Sequence, residues 1–237
     1  MQLDDLFRKL SYGELSNLKL GGEGSGVIPR EHHNKVIESV NTALKDISTR
    51  CSLITKDLVV QSLEWKNLYP LKKEFALTDP TEGLKYIMDS PYQPFTGDIV
   101  KILGVANEIG NALPLNDGNQ WASVFTPAYD TLQLNHVGYD QAFFVTYQAL
   151  HPELAYAVEG NDEHLLQEIQ VPPVLEDLLR ARVALAIFSP MGGQDGNNRA
   201  QALTAFCEGR FAELKLDNSV GDSGVDTNVK LMLRGFP

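Results

Sequence analysis

Apolar residues recur every three or four positions along two stretches near the end of the sequence, which predicts two antiparallel helices joined by a glycine-rich turn. The first begins after Val171-Pro172-Pro173, because proline suits the first helical position, and it ends at Ser189-Pro190. The turn is Met191–Gly196, and the second helix runs to Leu216. Their apolar positions are Val174, Leu175, Leu178, Leu179, Val183, Ala186 and Ile187, and then Ala200, Leu203, Cys207, Phe211 and Leu214. Neither helix can bury its stripe alone, so further helices are needed.

Two more helices are predicted at the start of the chain. Leu3, Leu6, Phe7 and Leu10 form a short amphipathic pattern, and a longer helix runs from Pro29 to about Arg50. The longer helix has a broad apolar stripe made of Val36, Ile37, Val40, Ala43, Leu44 and Ile47. Between the two helices, residues 21–26 contain four glycines and no Lys-Ser/Thr follows them. We therefore expect a flexible linker there rather than a phosphate-binding loop.

After Cys51 the apolar period changes from near four to two, which indicates strands. Leu53–Leu63 is predicted as a strand, with Leu68–Leu71 as a candidate to pair with it. Further extended pieces are predicted at Asp98–Ile109, Trp121–Phe125, Thr131–Leu134 and Ala142–Tyr147. Spacings of roughly ten residues between such pieces are typical of a small antiparallel sheet or barrel.

This order of elements predicts an α+β fold: an antiparallel helical bundle with an inserted small antiparallel β-domain and a flexible C-terminal arm. The expected parts are residues 1–51 (first helices), 52–149 (β-domain), 150–216 (helical hairpin) and 217–237 (arm). The arm begins with a polar, glycine-containing lead, and it ends in apolar residues: Val229, Leu231, Met232, Leu233 and Phe236. Such an end suits docking on a partner or on a neighbouring subunit, and the alternative is that it folds back on its own chain.

The charge of the chain is unevenly distributed. Residues 102–179 contain no Lys or Arg but 11 acids, which equals the whole net charge of −11. A stretch of this kind repels nucleic acid, because affinity for phosphates comes from Lys and Arg that displace counterions. The alternative is a solvated acidic surface that maintains solubility.

No catalytic or ligand-binding motif is present. The sequence lacks a Gly-x-Ser-x-Gly elbow, a His-Glu-x-x-His pair, a Walker loop, a dinucleotide fingerprint and a Cys-x-x-Cys pair. His32 and His33 are adjacent and point about 100° apart on a helix, so we expect exposed surface histidines rather than metal ligands. Cys51 and Cys207 are expected to be buried, reduced thiols. We therefore expect no enzyme activity, no cofactor and no metal, and, since no run of 18 apolar residues occurs, no membrane span.

Six segments in order resemble the head-to-tail adaptor (connector) proteins of short-tailed bacteriophages, the podoviruses. The matching segments are LFRKLSYGELSNL at 6–18, VNTALKDISTR at 40–50, LPLND at 113–117, PAYDTLQ at 127–133, YQALHP at 147–152 and VPPVL at 171–175. Together they span most of residues 3–216. Cys51 departs from the pattern, where an aromatic such as Phe is expected.

The resemblance implies a structural virion protein, made in the host cytoplasm, that forms a homo-oligomeric ring, expected to be a dodecamer. The ring would lie beneath the portal protein and continue the DNA channel towards the tail tube, nozzle or hub. Its helical parts would stack side by side, the arm residues named above would hold the portal, and the β-domain would face the next tail component. Genomic DNA would pass without specific binding. The acids expected to line this lumen are Glu153, Glu159, Asp162, Glu163 and Glu168.

Two alternatives remain open from the sequence. One is another virion structural role, a tail-completion or stopper protein that plugs the channel rather than conducting DNA. The other is a virion-associated hydrolase that uses His32, His33 or His151 with nearby acids.

Overall fold

The computed structural model describes residues 1–135 and 140–216, and these residues have an α+β fold. The chain divides into two compact units. We call Met1–Leu53 with residues 151–216 the helical unit, and Ile54–Leu150 the strand unit. The divisions lie within two residues of the boundaries predicted at 51/52 and 149/150. Among the described helices, none combines the length and apolarity that a bilayer crossing requires.

The helical unit contains four α-helices: α1 (Leu3–Tyr12), α2 (His33–Arg50), α3 (Glu176–Phe188) and α4 (Gln194–Leu216). Short 3₁₀ helices cover Lys19–Gly24, Arg30–His32, Glu163–Leu166 and Pro173–Leu175. All four α-helices were predicted. The entrance to α3 is the predicted one, because Pro173 opens the 3₁₀ turn that leads into it.

Most positions of the predicted apolar stripes form the core of this unit, but Val174, predicted on the buried face of the helix that follows Pro173, is 40% exposed. The helix predicted from Pro29 to about Arg50 corresponds to α2, and all six of its predicted apolar positions are buried. On α4, Cys207, Phe211 and Leu214 are buried, and Ala200 and Leu203 pack against the same core. Cys51 is buried there as well, as predicted, and burial raises the pKa of both thiols.

The glycine-rich segment is not the expected flexible linker. Gly21 is buried, and a Cβ atom at that position would lie 2.2 Å from the carbonyl oxygen of Leu15. The Ser11 hydroxyl donates to the Gly21 carbonyl and accepts from the Gly26 amide at 3.1 Å. The glycines are needed here because the backbone passes directly over α1 and the turn that follows it, where a side chain has no room.

The strand unit contains eight described strands, all paired antiparallel within two sheets. They are β1 (Ile54–Gln61), β2 (Leu68–Pro70), β3 (Ile87–Met88), β4 (Ile99–Ala106), β5 (Ala112–Leu113), β6 (Val124–Ala128), β7 (Thr131–Leu134) and β8 (Ala142–Ala149). The larger sheet has the order β3-β1-β8-β4-β5, and the smaller has the order β2-β7-β6. In the larger sheet β1 pairs with β8 along its full length, from Ile54 opposite Ala149 to Gln61 opposite Ala142.

The predicted pairing of Leu68–Leu71 with the first strand is wrong. Leu68 lies opposite Gln133, so β2 pairs with β7 in the smaller sheet. Both edges of β1 are already occupied, by β3 and β8. A period of two identifies a strand and its buried face but not its neighbour, so the division into two sheets was not predictable from the pattern.

The predicted C-terminal arm lies outside the described residues. This includes the five positions predicted to dock, Val229, Leu231, Met232, Leu233 and Phe236.

Candidate functional site

The five acids predicted to line a lumen all lie on one largely extended piece of the helical unit, residues 151–170, which we call the acidic segment. All five are exposed. The regular structure in the segment is the short 3₁₀ turn Glu163–Leu166. An extended segment without a strand neighbour must satisfy its backbone hydrogen bonds in another way, and the side chains of α2 provide several of them.

Two asparagines of α2 bind the backbone of the acidic segment through both atoms of their amide groups. Asn41 Oδ1 accepts from the Leu154 N–H at 2.9 Å, and Asn41 Nδ2 donates to the Leu154 carbonyl at 3.1 Å. One and a half to two turns earlier, Asn34 makes the same pair of bonds with Ala157, at 2.7 Å and 3.4 Å. Each side-chain amide thus takes the place of a neighbouring strand's peptide group.

Residue 155, between these two, is held from within the segment. Gln167 Oε1 accepts from the Ala155 N–H at 2.6 Å, and Gln167 Nε2 donates to the Ala155 carbonyl at 2.9 Å. The Tyr156 hydroxyl donates to the Glu38 carboxylate of α2, and this hydrogen bond raises the pKa of the exposed Tyr156. Together with the two asparagines, these contacts fix residues 154–157 in one position.

Arg30 holds the next part of the segment from the turn before α2. Its Nη2 atom donates to the carbonyls of Val158 and Asn161 at 3.1 Å and 3.0 Å, and its Nη1 atom lies 3.0 Å from Asp162 Oδ1. Asp162 is therefore ion-paired. By contrast, no ion pair with any described residue is formed by the other four acids, Glu153, Glu159, Glu163 and Glu168, and these four present uncompensated charge.

The expectation that both early histidines are exposed is wrong for His33, which is buried, and His32 is only partly exposed. Only 7% of its surface is exposed, and its Nδ1 atom lies 2.8 Å from Nε2 of His164, which is itself 6% exposed. The Nε2 atom of His33 lies 2.9 Å from the Ile28 carbonyl oxygen, and the ring packs edge-on against Phe7. The helical period places positions 32 and 33 on different faces, but which face is covered depends on the distant acidic segment.

His151 is also buried and bound entirely to backbone. Its Nδ1 atom lies 2.7 Å from the Pro152 carbonyl, and its Nε2 atom accepts from the Gln170 N–H at 3.1 Å. Burial lowers the pKa of this imidazole. Both ring nitrogens are therefore occupied, and the bond from Gln170 joins the two ends of the acidic segment.

His32 is the histidine of these three that faces a carboxylate. Its Nε2 atom lies 3.4 Å from Glu31 Oε1, and both residues line a groove of about 680 Å³ in the helical unit. The groove lining contains no Ser, Thr or Cys that could act as a nucleophile. In residues 1–135 and 140–216, no three His, Cys, Asp or Glu side chains come together in a way that could hold a metal ion.

The acid-rich stretch from 102 to 179 is not one surface. Four of its acids lie in the strand unit and seven in the helical unit. Three of the seven are paired with bases from outside the stretch, since Lys9 binds Glu176, Arg30 binds Asp162 and Arg180 binds Asp177. The count over residues 102–179 therefore overstates the uncompensated charge, and its four acids in the helical unit that have no basic partner all lie on the acidic segment.

No family model matches this chain, and no curated protein shows significant similarity to it. The sequence reasoning located the acids of the segment but missed the residues that fix it, which are Arg30, Asn34, Asn41, His164 and Gln167. One signal was available. Asn34 and Asn41 are seven residues apart, so they lie on the same face of the predicted helix, and that face therefore carries two amides that could bind backbone.

Proposed function

We propose that this protein is a head-to-tail adaptor, a structural virion protein that forms a ring, expected to be dodecameric, beneath the portal of a short-tailed phage. In this proposal the helical unit is an antiparallel bundle that stacks side by side with its neighbours, and the strand unit is the inserted β-domain. Residues 217–237, outside the described part of the chain, would serve as the arm that holds the portal. Two observations support this assignment. The matching segments occur in the same order in the sequence, and the helical unit is formed by the parts of the chain that precede and follow the strand unit.

The observation that carries the proposal is the fixed, exposed acidic segment. Glu153, Glu159 and Glu168 are exposed and lack ion partners among the described residues, while α2 holds the backbone between them through Asn34 and Asn41. A wall along which DNA must slide needs negative charge that repels phosphates, held so that it cannot fold over the passage. Residues 151–170 contain no Lys or Arg, and Arg30 beside them is already paired with Asp162, so DNA displaces few counterions by stopping there.

The strand unit offers large exposed aromatic side chains, which supports a role for it in contacting another tail component. Trp65 is 96% exposed and Trp121 is 76% exposed. Each lies three residues before a strand of the smaller sheet, and β2 and β6 both begin opposite the end of β7. Both tryptophans thus lead into the same end of that sheet. Aromatic residues of this kind are enriched in protein–protein interfaces.

The adaptor assignment predicts that the full-length protein binds its cognate portal ring and that the arm is required. We expect size-exclusion chromatography with light scattering to show a ring-sized complex for residues 1–237. A version ending at Leu216 should stay unbound under the same conditions, because it lacks the apolar docking residues.

A full-length control separates loss of the arm's apolar contacts from loss of chain length. Replacing Leu231, Met232 and Leu233 with serine should weaken portal binding as strongly as the truncation does. If neither full-length protein nor truncation binds the portal and both remain monomers, the adaptor assignment is wrong. If the truncation binds as well as the full chain, the arm is not the docking element.

The lumen assignment predicts that charge reversal on the acidic segment impairs DNA passage. Particles carrying Glu153→Lys, Glu159→Lys and Glu168→Lys should release a smaller fraction of their DNA. Every subunit of the ring would place three new lysines along the passage, where they attract the DNA phosphates. The deficit should shrink as salt rises, because counterion release is rewarded less at high ionic strength. The measurement is the amount of DNA released from purified particles across a series of salt concentrations.

A matched control carries the same net charge with the lysines placed elsewhere. Glu23, Glu64 and Glu82 are also exposed and without ion partners in the described part of the chain, so their replacement by lysine should leave DNA release unchanged. Equal packaging and release by the two triple variants would contradict the lumen assignment while leaving the adaptor role intact.

A further inference from the structure

His33 and His164 join α2 to the acidic segment through a buried hydrogen bond, and we call this pair the histidine clasp. The Ile28 carbonyl can only accept, so the Nε2 atom of His33, 2.9 Å away, carries a proton. In the neutral ring Nδ1 is then a lone pair. It accepts from the Nε2–H of His164 at 2.8 Å. When both rings are neutral, both therefore carry their proton on Nε2.

The remaining ring nitrogen of the clasp determines what an added proton does. His164 Nδ1 is buried and has no hydrogen-bond partner among the described residues. As an unprotonated nitrogen, this atom is tolerated without a hydrogen-bond partner. If His164 gains the proton, Nδ1 becomes an unpaired, buried N–H. If His33 gains it on Nδ1, the Nε2 atom of His164 must become the acceptor, and the proton of His164 again moves to Nδ1. Every protonated form of the clasp thus buries a charge together with an unsatisfied donor, which is costly.

The surroundings do not compensate an added charge. From α1 the clasp is contacted by the ring of Phe7, 5.2 Å from that of His33. Asp162 favours the charged form of His33 and Arg30 opposes it, and these two are paired with each other at 3.0 Å. Glu163, on the turn beside His164, is exposed and accepts from Asn161 instead. Burial is the largest influence and lowers the pKa of His33.

We propose that the histidine clasp is a proton-sensitive latch: it holds the turn Glu163–Leu166 against α2 at neutral pH and releases it on mild acidification. The direction follows from linkage. In the open or unfolded form His33 binds a proton near pH 6.5, and in the closed form burial lowers its pKa, so that it binds one only at lower pH. The closed form is therefore fully stable above about pH 6.5 and loses stability as the pH falls towards the lowered pKa of His33. This inference does not depend on the adaptor role.

The contacts on either side of the latch limit how far the release extends. Asn34 and Asn41 hold Ala157 and Leu154 through amide groups that do not titrate. The amides of Leu165 and Gln167, by contrast, bond within the turn, to the carbonyls of Asp162 and His164. Acidification should therefore expose the amides of Leu165 and Gln167, while those of Leu154 and Ala157 stay protected.

The test is residue-resolved amide hydrogen exchange on the full chain at pH 7.5 and pH 5.0, corrected for the intrinsic pH dependence of exchange. Protection of Leu165 and Gln167 should fall by about tenfold or more at pH 5.0, because the open form is the one that takes up the proton. Protection of Leu154 and Ala157 should remain, because Asn41 and Asn34 hold these two amides. Equal protection of the turn at the two pH values would overturn the proposal.

Variants assign the effect to the clasp. In the double variant His33→Phe/His164→Phe both rings become apolar, so the turn should show the same protection at both pH values. Its matched control is His32→Gln, the neighbouring histidine outside the clasp, which should keep the acid response. If the acid-induced loss of protection disappears in His151→Phe but persists in the double variant, the proposal is wrong.

A measurement on the unmodified protein checks the clasp independently of whether the variants fold. At pH 7.5 the ¹⁵N chemical shifts of the imidazoles should show His33 and His164 both neutral and both protonated on Nε2. A proton on Nδ1 of either ring, or a charged ring at that pH, would contradict the geometry on which the latch depends.

Discussion

Replacing Gly21 with alanine should destabilise the helical unit by roughly 3 kcal/mol, at the upper end of what overpacking a rigid site costs. The new methyl group would lie 2.2 Å from the carbonyl oxygen of Leu15 and 2.6 Å from its Cβ atom. Leu15 is completely buried, so it cannot move aside. The Gly21 backbone cannot easily withdraw either, because its carbonyl is bound by the buried Ser11 hydroxyl. The measurement is the free energy of unfolding in urea.

Gly209 provides the matched control. It lies inside α4, and a Cβ atom there would meet nothing within 4 Å. Gly209→Ala should therefore stabilise the protein by up to about 1 kcal/mol, because alanine loses less backbone entropy in a helix. If Gly21→Ala were as stable as the unmodified protein, the glycine-rich segment would be a loose linker after all, and the close packing described above would be wrong.

The contrast between these glycines explains where sequence reasoning succeeded and where it failed for the fold. Helical stripes such as Val36–Ile47 repeat locally, and their burial follows from the period of the helix, so α2 and α4 were predicted with their buried faces. Four glycines in six residues are equally compatible with mobility and with a close approach of two backbones. The choice between them depends on Leu15 and Ser11, and no local pattern shows that contact.

The candidate site shows the same limit more strongly. Its acids could be read from the sequence because charge is a property of each residue alone. The residues that fix the segment contact partners far along the chain: Asn41 binds a residue 113 positions away, and His33 one that is 131 away. Whether an asparagine or histidine on a helix faces solvent or another segment is decided by such long-range contacts, so the composition of the helix could not indicate it.

Removing the Asp46 carboxylate should destabilise the packing of α2 against α3 and α4 by about 2 to 3 kcal/mol. Asp46 binds Arg182 of α3 and lies 3.4 Å from Arg50. The Arg182 side chain is only 14% exposed, so Asp46→Ala would leave a guanidinium nearly buried without its carboxylate. The estimate lies below that for a fully buried pair because the Asp46 side chain is 29% exposed. Thermal and urea unfolding measure the loss.

A double-mutant cycle distinguishes this charge pairing from lost packing. Arg182→Met keeps an apolar chain of similar length beside Phe211, whose ring lies 5.9 Å from the guanidinium carbon. Combining it with Asp46→Ala removes both charges, so the double variant should recover at least about 1 kcal/mol relative to the sum of the single losses. As a control, Glu213→Ala breaks the exposed Arg210–Glu213 pair of α4 and should change stability by less than about 0.5 kcal/mol. Strictly additive losses would mean that Asp46 acts through packing alone, because a nearly buried guanidinium left without its carboxylate must gain when its own charge is removed.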